Sequence, residues 1–168
     1  MTALGLYLDL LATWNARLNL TGLRGPEARV AVLVGDVLPL APRLEAGLLV
    51  DVGSGNGSPG LVLALLRPEI PVTLLEPRTR RWAFLREAAR AAGRPDIQVL
   101  RVRHDAYAGP PARSLTLRAL ALPLAELLPL LEEGGRIYVL GRPPRCEPPF
   151  VAERKAGRAH VFWRERST

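Results

Sequence analysis

The stretch Asp51-Val52-Gly53-Ser54-Gly55-Asn56-Gly57-Ser58-Pro59-Gly60 has the form of a ligand-binding turn. Apolar residues from Leu48 run into alternating glycines and then into a second apolar run, Leu61 to Leu66. That order reads as strand, tight turn and helix. Glycines there let a ligand approach the main chain closely. Pro59 suits the first turn of the helix, whose free N–H groups favour an anionic or polar ligand group. Two ligand classes use such a turn. Gly55 to Gly60 fits the G-x-G-x-x-G pattern of dinucleotide sites. Asp51 to Gly57 fits the acidic-x-G-x-G-x-G pattern of sites for S-adenosyl-L-methionine (SAM). A carboxylate at Asp51 would repel a pyrophosphate, yet it can accept hydrogen bonds from an ammonium directly or through water, so SAM is favoured.

Glu76 stands 19 positions after Gly57, at the end of the next apolar run. A nucleotide-binding sheet places there the acid that holds ribose hydroxyls. SAM and NAD share that need, so Glu76 supports a nucleoside without choosing between them. His104 and Asp105 follow a third strand, where they are expected beside an adenine. Arg118 ends a fourth strand and is expected to face the crevice, where it would hold a phosphate or substrate. No Ser-His-Asp set and no Cys-His pair stands out. The two histidines, His104 and His160, have no ligand cluster around them, so no metal is expected. Methyl transfer to a free lone pair, such as guanine N7, needs no base; aligning the reactants is most of the task.

The elements that position these residues follow from periodicity. Leu4, Tyr7, Leu8, Leu11, Trp14 and Leu18 make the apolar stripe of a helix over 3–18, stopped at Asn19 to Gly22. A second helix starts at Pro26 and runs to about Val34, with a further turn over 36–40. Strands are expected at 48–51, 72–76, 97–102, 114–118 and 136–140, alternating with helices at 59–66, 79–92 and 123–131. Glu132 to Gly135 reads as a turn. Alternation of this kind means a doubly wound, mostly parallel α/β sheet, with ligands at the carboxyl ends of its strands. Ala159 to Trp163 reads as a final strand, antiparallel at the sheet edge. The chain is expected to form one domain: a helical cap over 1–46, an α/β core over 47–142 and a tail over 143–168.

The 168 residues are 48% hydrophobic, which excludes a disordered chain and allows a real core. No apolar run is long enough to span a membrane, and no basic stretch opens a signal peptide, so a cytoplasmic protein is expected. The single cysteine, Cys146, cannot form an internal disulfide. The formal net charge is +7, and of the 23 basic residues only Lys155 is not arginine. Arginine forks match phosphates and stack on bases, which fits a polyanionic partner. A GC-rich genome produces the same excess. Scarce Asn, Gln, Met and Cys suit a thermophile.

With these residues in place, the chain from about Tyr7 to Leu140 resembles the glucose-inhibited division protein B family, methyltransferase G of small-subunit ribosomal RNA. Trp14-Asn15 and Asn19-Leu20-Thr21 are similar to its opening motif, and Asp51 to Gly60 to its SAM loop. Thr73 to Glu76, Arg80-Arg81, Phe84 to Glu87, Arg103-His104-Asp105, Arg118 to Ala121 and Gly134-Gly135-Arg136 continue the likeness. The resemblance implies a SAM-dependent methyltransferase fold ending in a strand hairpin that the tail must supply. It implies SAM held by Asp51, Gly53, Ser54, Gly55, Asn56, Gly57, Glu76, His104 and Asp105, with Arg118 on the catalytic side. The substrate would be a guanine of small-subunit ribosomal RNA, free or in the ribosomal subunit, methylated at N7 by a monomer without metal or membrane. Four positions depart from the pattern. Leu33 replaces a histidine, Ser58 an aromatic residue, Arg113 an aspartate and Gly141 a lysine. A diverged paralog that binds SAM or RNA without turnover is the alternative, and an NAD-dependent oxidoreductase a more distant one.

Overall fold

The computed structural model describes residues 1–167. Helix α1 spans Ala3–Leu18. Thr2 caps it by accepting from the Gly5 amide, and Asn19 ends it in the left-handed region with φ 49°. Asn15 then stitches the exit, its side chain donating to the Thr21 carbonyl and accepting from the Thr21 amide. Helix α2, Pro26–Arg29, does not continue in α form to Val34 as expected. It passes into a π-helical segment, Val30–Gly35, and then a 3₁₀ segment, Leu38–Arg43, which contains Pro39 and Pro42.

The remaining elements are β1 (Leu49–Val52), α3 (Gly60–Leu66), β2 (Val72–Leu75), α4 (Thr79–Ala91), β3 (Gln98–Leu100), β4 (Ala112–Arg118), α5 (Leu124–Leu127), β5 (Leu131–Leu140), β6 (Phe150–Ala156) and β7 (Ala159–Arg164). They form one seven-stranded sheet in the order β3-β2-β1-β4-β5-β7-β6. The first five strands run parallel, and β7 and β6 run antiparallel to their neighbours. The doubly wound α/β architecture is therefore as the alternation implied. Successive side chains leave a strand on opposite faces. Leu49, Leu74, Tyr138 and Leu140 accordingly join α1, α3 and α4 in one core. Val50, Val52, Leu75, Ile137 and Val139 join α5 in the other. Trp14 of α1 packs on Phe84 of α4, ring centroids 5.7 Å apart.

Three further expectations need correction. The helix expected over 123–131 ends at Leu127 and gives way to a 3₁₀ turn, Leu128–Leu130. Pro129 has no N–H with which to continue it. Glu132 to Gly135 is no turn but the start of β5, where the pairing shifts register between Ala112↔Leu131 and Ser114↔Arg136. Finally, the strand at Ala159–Arg164 is antiparallel but interior. The edge belongs to β6, whose charged run Glu153-Arg154-Lys155 hid it from hydropathy. Among the described residues no helix is long and apolar enough to cross a membrane.

Candidate active site

Strand order reverses between β1 and β4, and the carboxyl ends of those strands open a crevice. A cavity of about 510 Å³ lies there, within the usual range for a small-molecule site. Gly53, Ser54, Gly55, Asn56, Glu76, His104 and Arg118 line it. The fold thus gathers seven of the ten expected site residues around one space. Asp51, Gly57 and Asp105 are not in its lining.

Gly53, Gly55 and Gly57 all have positive φ, at 69°, 52° and 96°, which only glycine adopts freely. The loop they form is held from three sides. Glu76, only 3% exposed, accepts from the Gly55 amide through Oε2 at 2.9 Å and from the Arg78 amide through Oε1 at 2.8 Å. A carboxylate has about four lone-pair sites, so two remain for a ligand. Tyr7 of α1 donates its hydroxyl to the Asn56 carbonyl at 2.9 Å, and burial pushes its pKa up. Ser58 donates to the Leu33 carbonyl at 2.7 Å. The two positions that depart from the family pattern at 33 and 58 are therefore joined to each other.

Asp51 is buried under the loop rather than exposed to the cavity. Thr116 donates to its Oδ1 at 2.5 Å, while Oδ2 has no hydrogen-bond partner. Burial raises its carboxyl to about 6, against the opposing effects of Thr116, Ser54, the Gly60 amide and the Arg118 charge. Gly60 is forced by this packing, since a Cβ there would lie 2.4 Å from the Asp51 Cβ. Asp51 thus supports the loop and the start of α3 from below, outside the cavity lining.

Arg118 reaches the cavity from the end of β4. It donates to the Val32 carbonyl at 3.2 Å and lies 3.8 Å from Asp36. Its Nε is buried without a partner. Burial pulls its pKa down, opposed by Asp36, Asp51 and Tyr7. The next residue, Ala119, has φ 52°, an unusual conformation for a side-chain-bearing residue and one that concentrates at functional sites. The π-helical segment thus supplies carbonyls to both Ser58 and Arg118, a placement such segments often have.

His104 is buried, and its Nε2 donates to Glu126 Oε2 at 2.8 Å, so it joins the cavity wall to α5. Asp105 points away and is exposed, 3.5 Å from Arg103. The loop turns in a 3₁₀ segment, His104–Ala106, which separates the two side chains. Arg113 lies at the far end of β4, where it bonds Glu45. That departure is structural and remote from the cavity. Gly141 ends β5 with φ 118°, beside the Ala119 backbone nitrogen.

Sequence reading missed Tyr7, Asp36 and the Val32 and Leu33 carbonyls. Tyr7 alone left a signal, because a tyrosine on a buried stripe must find a partner for its hydroxyl. Among the described residues no group of three His, Cys, Asp or Glu side chains is placed to hold a metal.

Comparison with known proteins agrees with this geometry. Among solved structures, TrmN of Thermus thermophilus superposes with a TM-score of 0.60 at 24% identity, over 89% of this chain and 53% of that one. Coclaurine N-methyltransferase, bound to N-methylheliamine and SAH, superposes with a TM-score of 0.58 at 16% identity, over 79% of this chain and 42% of that one. These likenesses show a Rossmann-like methyltransferase fold. The ribosomal RNA small subunit methyltransferase G of Neisseria gonorrhoeae is 40% identical over 134 residues, covering 77% of this chain and 64% of the relative. That of Halorhodospira halophila is 42% identical over 138 residues, covering 80% and 66%. The matched part is just under two thirds of the length of these curated relatives. The family model for rRNA small subunit methyltransferase G (GidB) matches residues 1–143, and the chain belongs to that family.

Proposed function

We propose that the protein is a SAM-dependent methyltransferase acting on small-subunit ribosomal RNA, with guanine N7 as the acceptor. The observation that carries the reading is the buried Glu76 carboxylate. It braces the glycine loop through Gly55 and keeps free lone pairs at the cavity. An adenosyl ligand fits what is present. Glu76 would take the ribose hydroxyls, and Gly53 to Asn56 would face the methionine part. His104, with Val102 and Leu122 nearby, would flank the adenine. Asp51 would act from below, by holding the loop against α3. Bound in this way, SAM supplies a methyl group already activated on a sulfonium.

The protein's own part is then to align and to exclude water. Arg118 would steady the acceptor nucleotide, since it lines the cavity with its guanidinium anchored on Val32. Leu20, Leu120 and Leu122 form apolar wall that keeps the reacting atoms dry. Guanine N7 carries a lone pair and no proton, so no general base is required. Holding the acceptor in line can supply several kcal/mol of the barrier reduction, up to about 7–11.

The test has two stages. SAM and S-adenosylhomocysteine, but not NAD, should raise the melting temperature, because a ligand that binds only the folded form must stabilise it. Labelled methyl from SAM should then enter small subunits that lack the modification. A response to NAD alone would sink the reading in favour of an oxidoreductase. A response to SAM with no transfer to small subunits or their naked RNA would favour the diverged module without turnover.

A further inference from the structure

Beyond the cavity, α4 and the edge strand β3 carry a group of cations without counter-charges. Arg78, Arg80, Arg86 and Arg101 are exposed and Arg81 is half-buried. None of the five has an ion-pair partner among the described residues. Arg78 and Arg81 line the cavity mouth. Arg86 and Arg101 do not; their guanidiniums stand over the Trp82 ring, 4.9 Å and 6.0 Å from its centroid. The indole is fixed in turn, its Nε1 donating to the Val99 carbonyl of β3 at 2.9 Å. The acids nearby are already engaged, Glu87 with Arg90 and Asp105 with Arg103.

We propose that the Trp82-Arg86-Arg101 cluster, on α4 and just past the end of β3, is a docking surface for the RNA substrate, continuous with the cavity mouth through Arg78 and Arg81. The proposal rests on the RNA reading above and says where the rest of that RNA lies. Guanidiniums held near an aromatic ring keep N–H groups for phosphate oxygens. Arginines with an interleaved aromatic suit unpaired RNA, whose bases stack while its phosphates are tracked. A membrane surface fits poorly. Among the described residues the exposed large hydrophobic ones are Met1, Val30, Leu38 and Val151, none of them on α4 or β3, and a peripheral membrane face needs an apolar wedge beside its cations. The opposite sheet edge, β6, is basic too, with Arg154 and Lys155, but the tryptophan beside it, Trp163 of β7, has no guanidinium over its ring among the described residues, whereas Trp82 has two.

The experiment is a binding titration across salt concentrations with a transcript of small-subunit ribosomal RNA. It compares the unaltered chain, the double variant Arg86→Ala/Arg101→Ala and the double variant Arg154→Ala/Lys155→Ala. The first variant should bind about tenfold or more weaker at low salt. Its plot of log affinity against log salt should flatten by roughly one to two, the loss of one or two phosphate contacts. Its melting shift with SAM should be unchanged, which shows that fold and cavity are intact. The second variant should bind as the unaltered chain does. Equal affinity and slope for the Arg86/Arg101 variant would overturn the surface alone, as would a loss confined to the Arg154/Lys155 variant. An unaltered chain that ignores the transcript but binds phosphatidylserine vesicles would overturn the RNA reading as well.

Discussion

At the carboxyl ends of β1 and β4 two buried atoms, Asp51 Oδ2 and Arg118 Nε, have no hydrogen-bond partner. At the amino ends of the same strands the charges are matched. Glu45 binds both Arg113 and Arg136, and Glu153 binds Arg136 and Arg43. The difference shows what each end is for. Partly exposed pairs stabilise little one by one, but they leave nothing unsatisfied. Buried orphans cost stability, and these two lie beneath and beside the glycine loop that walls the cavity. The matched end holds the sheet together, and the unmatched end carries its unsatisfied groups next to the cavity.

This contrast can be broken or sharpened by substitution. The largest effect is expected from Gly60→Ala. Its methyl would meet the Asp51 side chain at 2.4–2.5 Å inside a packed core. Overpacking of that kind should cost about 3 kcal/mol or more in urea unfolding. A cost below about 1 kcal/mol would mean that the carboxyl end is far looser than its packing implies.

Next comes Asp51→Asn, whose effect depends on pH. Burial raises the folded carboxyl from 3.8 to about 6, so between these values the folded form holds a proton that the unfolded chain has released. The contribution to stability is full below pH about 4 and is lost as pH rises through 6, a difference of roughly 3 kcal/mol at most. Asparagine removes the titration. The ligand-free variant should gain stability over the unaltered chain at pH 7.5 and not at pH 4. Parallel unfolding curves at both values would refute the buried carboxylate.

Glu76→Gln should cost about 2 kcal/mol, because an amide nitrogen cannot accept from Gly55 or Arg78. Calorimetry should show SAM affinity falling by a similar amount, roughly 30-fold. The smallest effect belongs to the matched end. Glu45→Ala should lower stability by no more than about 1 kcal/mol, since the pairs it makes are partly exposed. It should leave the melting shift with SAM unchanged. A larger loss, or a weaker response to SAM, would show the two ends to be coupled.

The core of this site was legible because its parts are local. The run from Asp51 to Gly60 states strand, turn and helix in ten consecutive residues, and Glu76 follows at the spacing of one further helix and strand. The bracing was not legible, because its partners lie far apart along the chain. Tyr7 reaches Asn56, Ser58 reaches Leu33, and Arg118 reaches Val32, contacts that only the docked cap creates. The separation of the Asp105 side chain from the cavity lining was not legible either, because adjacent residues leave a 3₁₀ turn in different directions. Motif matching offered Asp51 as an acceptor, directly or through water, and said nothing of its burial. Its actual burial follows from the small residue opposite it at Gly60, a packing detail that no spacing encodes.

The family match stops at residue 143, but the sheet does not. Residues Arg136 to Val139 of β5 pair with Trp163 to His160 of β7, so the last strand laid down is what covers an apolar interior strand. During synthesis, Arg136 to Val139 must wait with one side bare until Trp163 has emerged, about one to five seconds at ordinary elongation rates. For that interval the nascent chain offers neighbouring chains a template for strand addition. The hairpin closes that interval, and a version cut after residue 143 should collect in aggregates however intact its ligand loop.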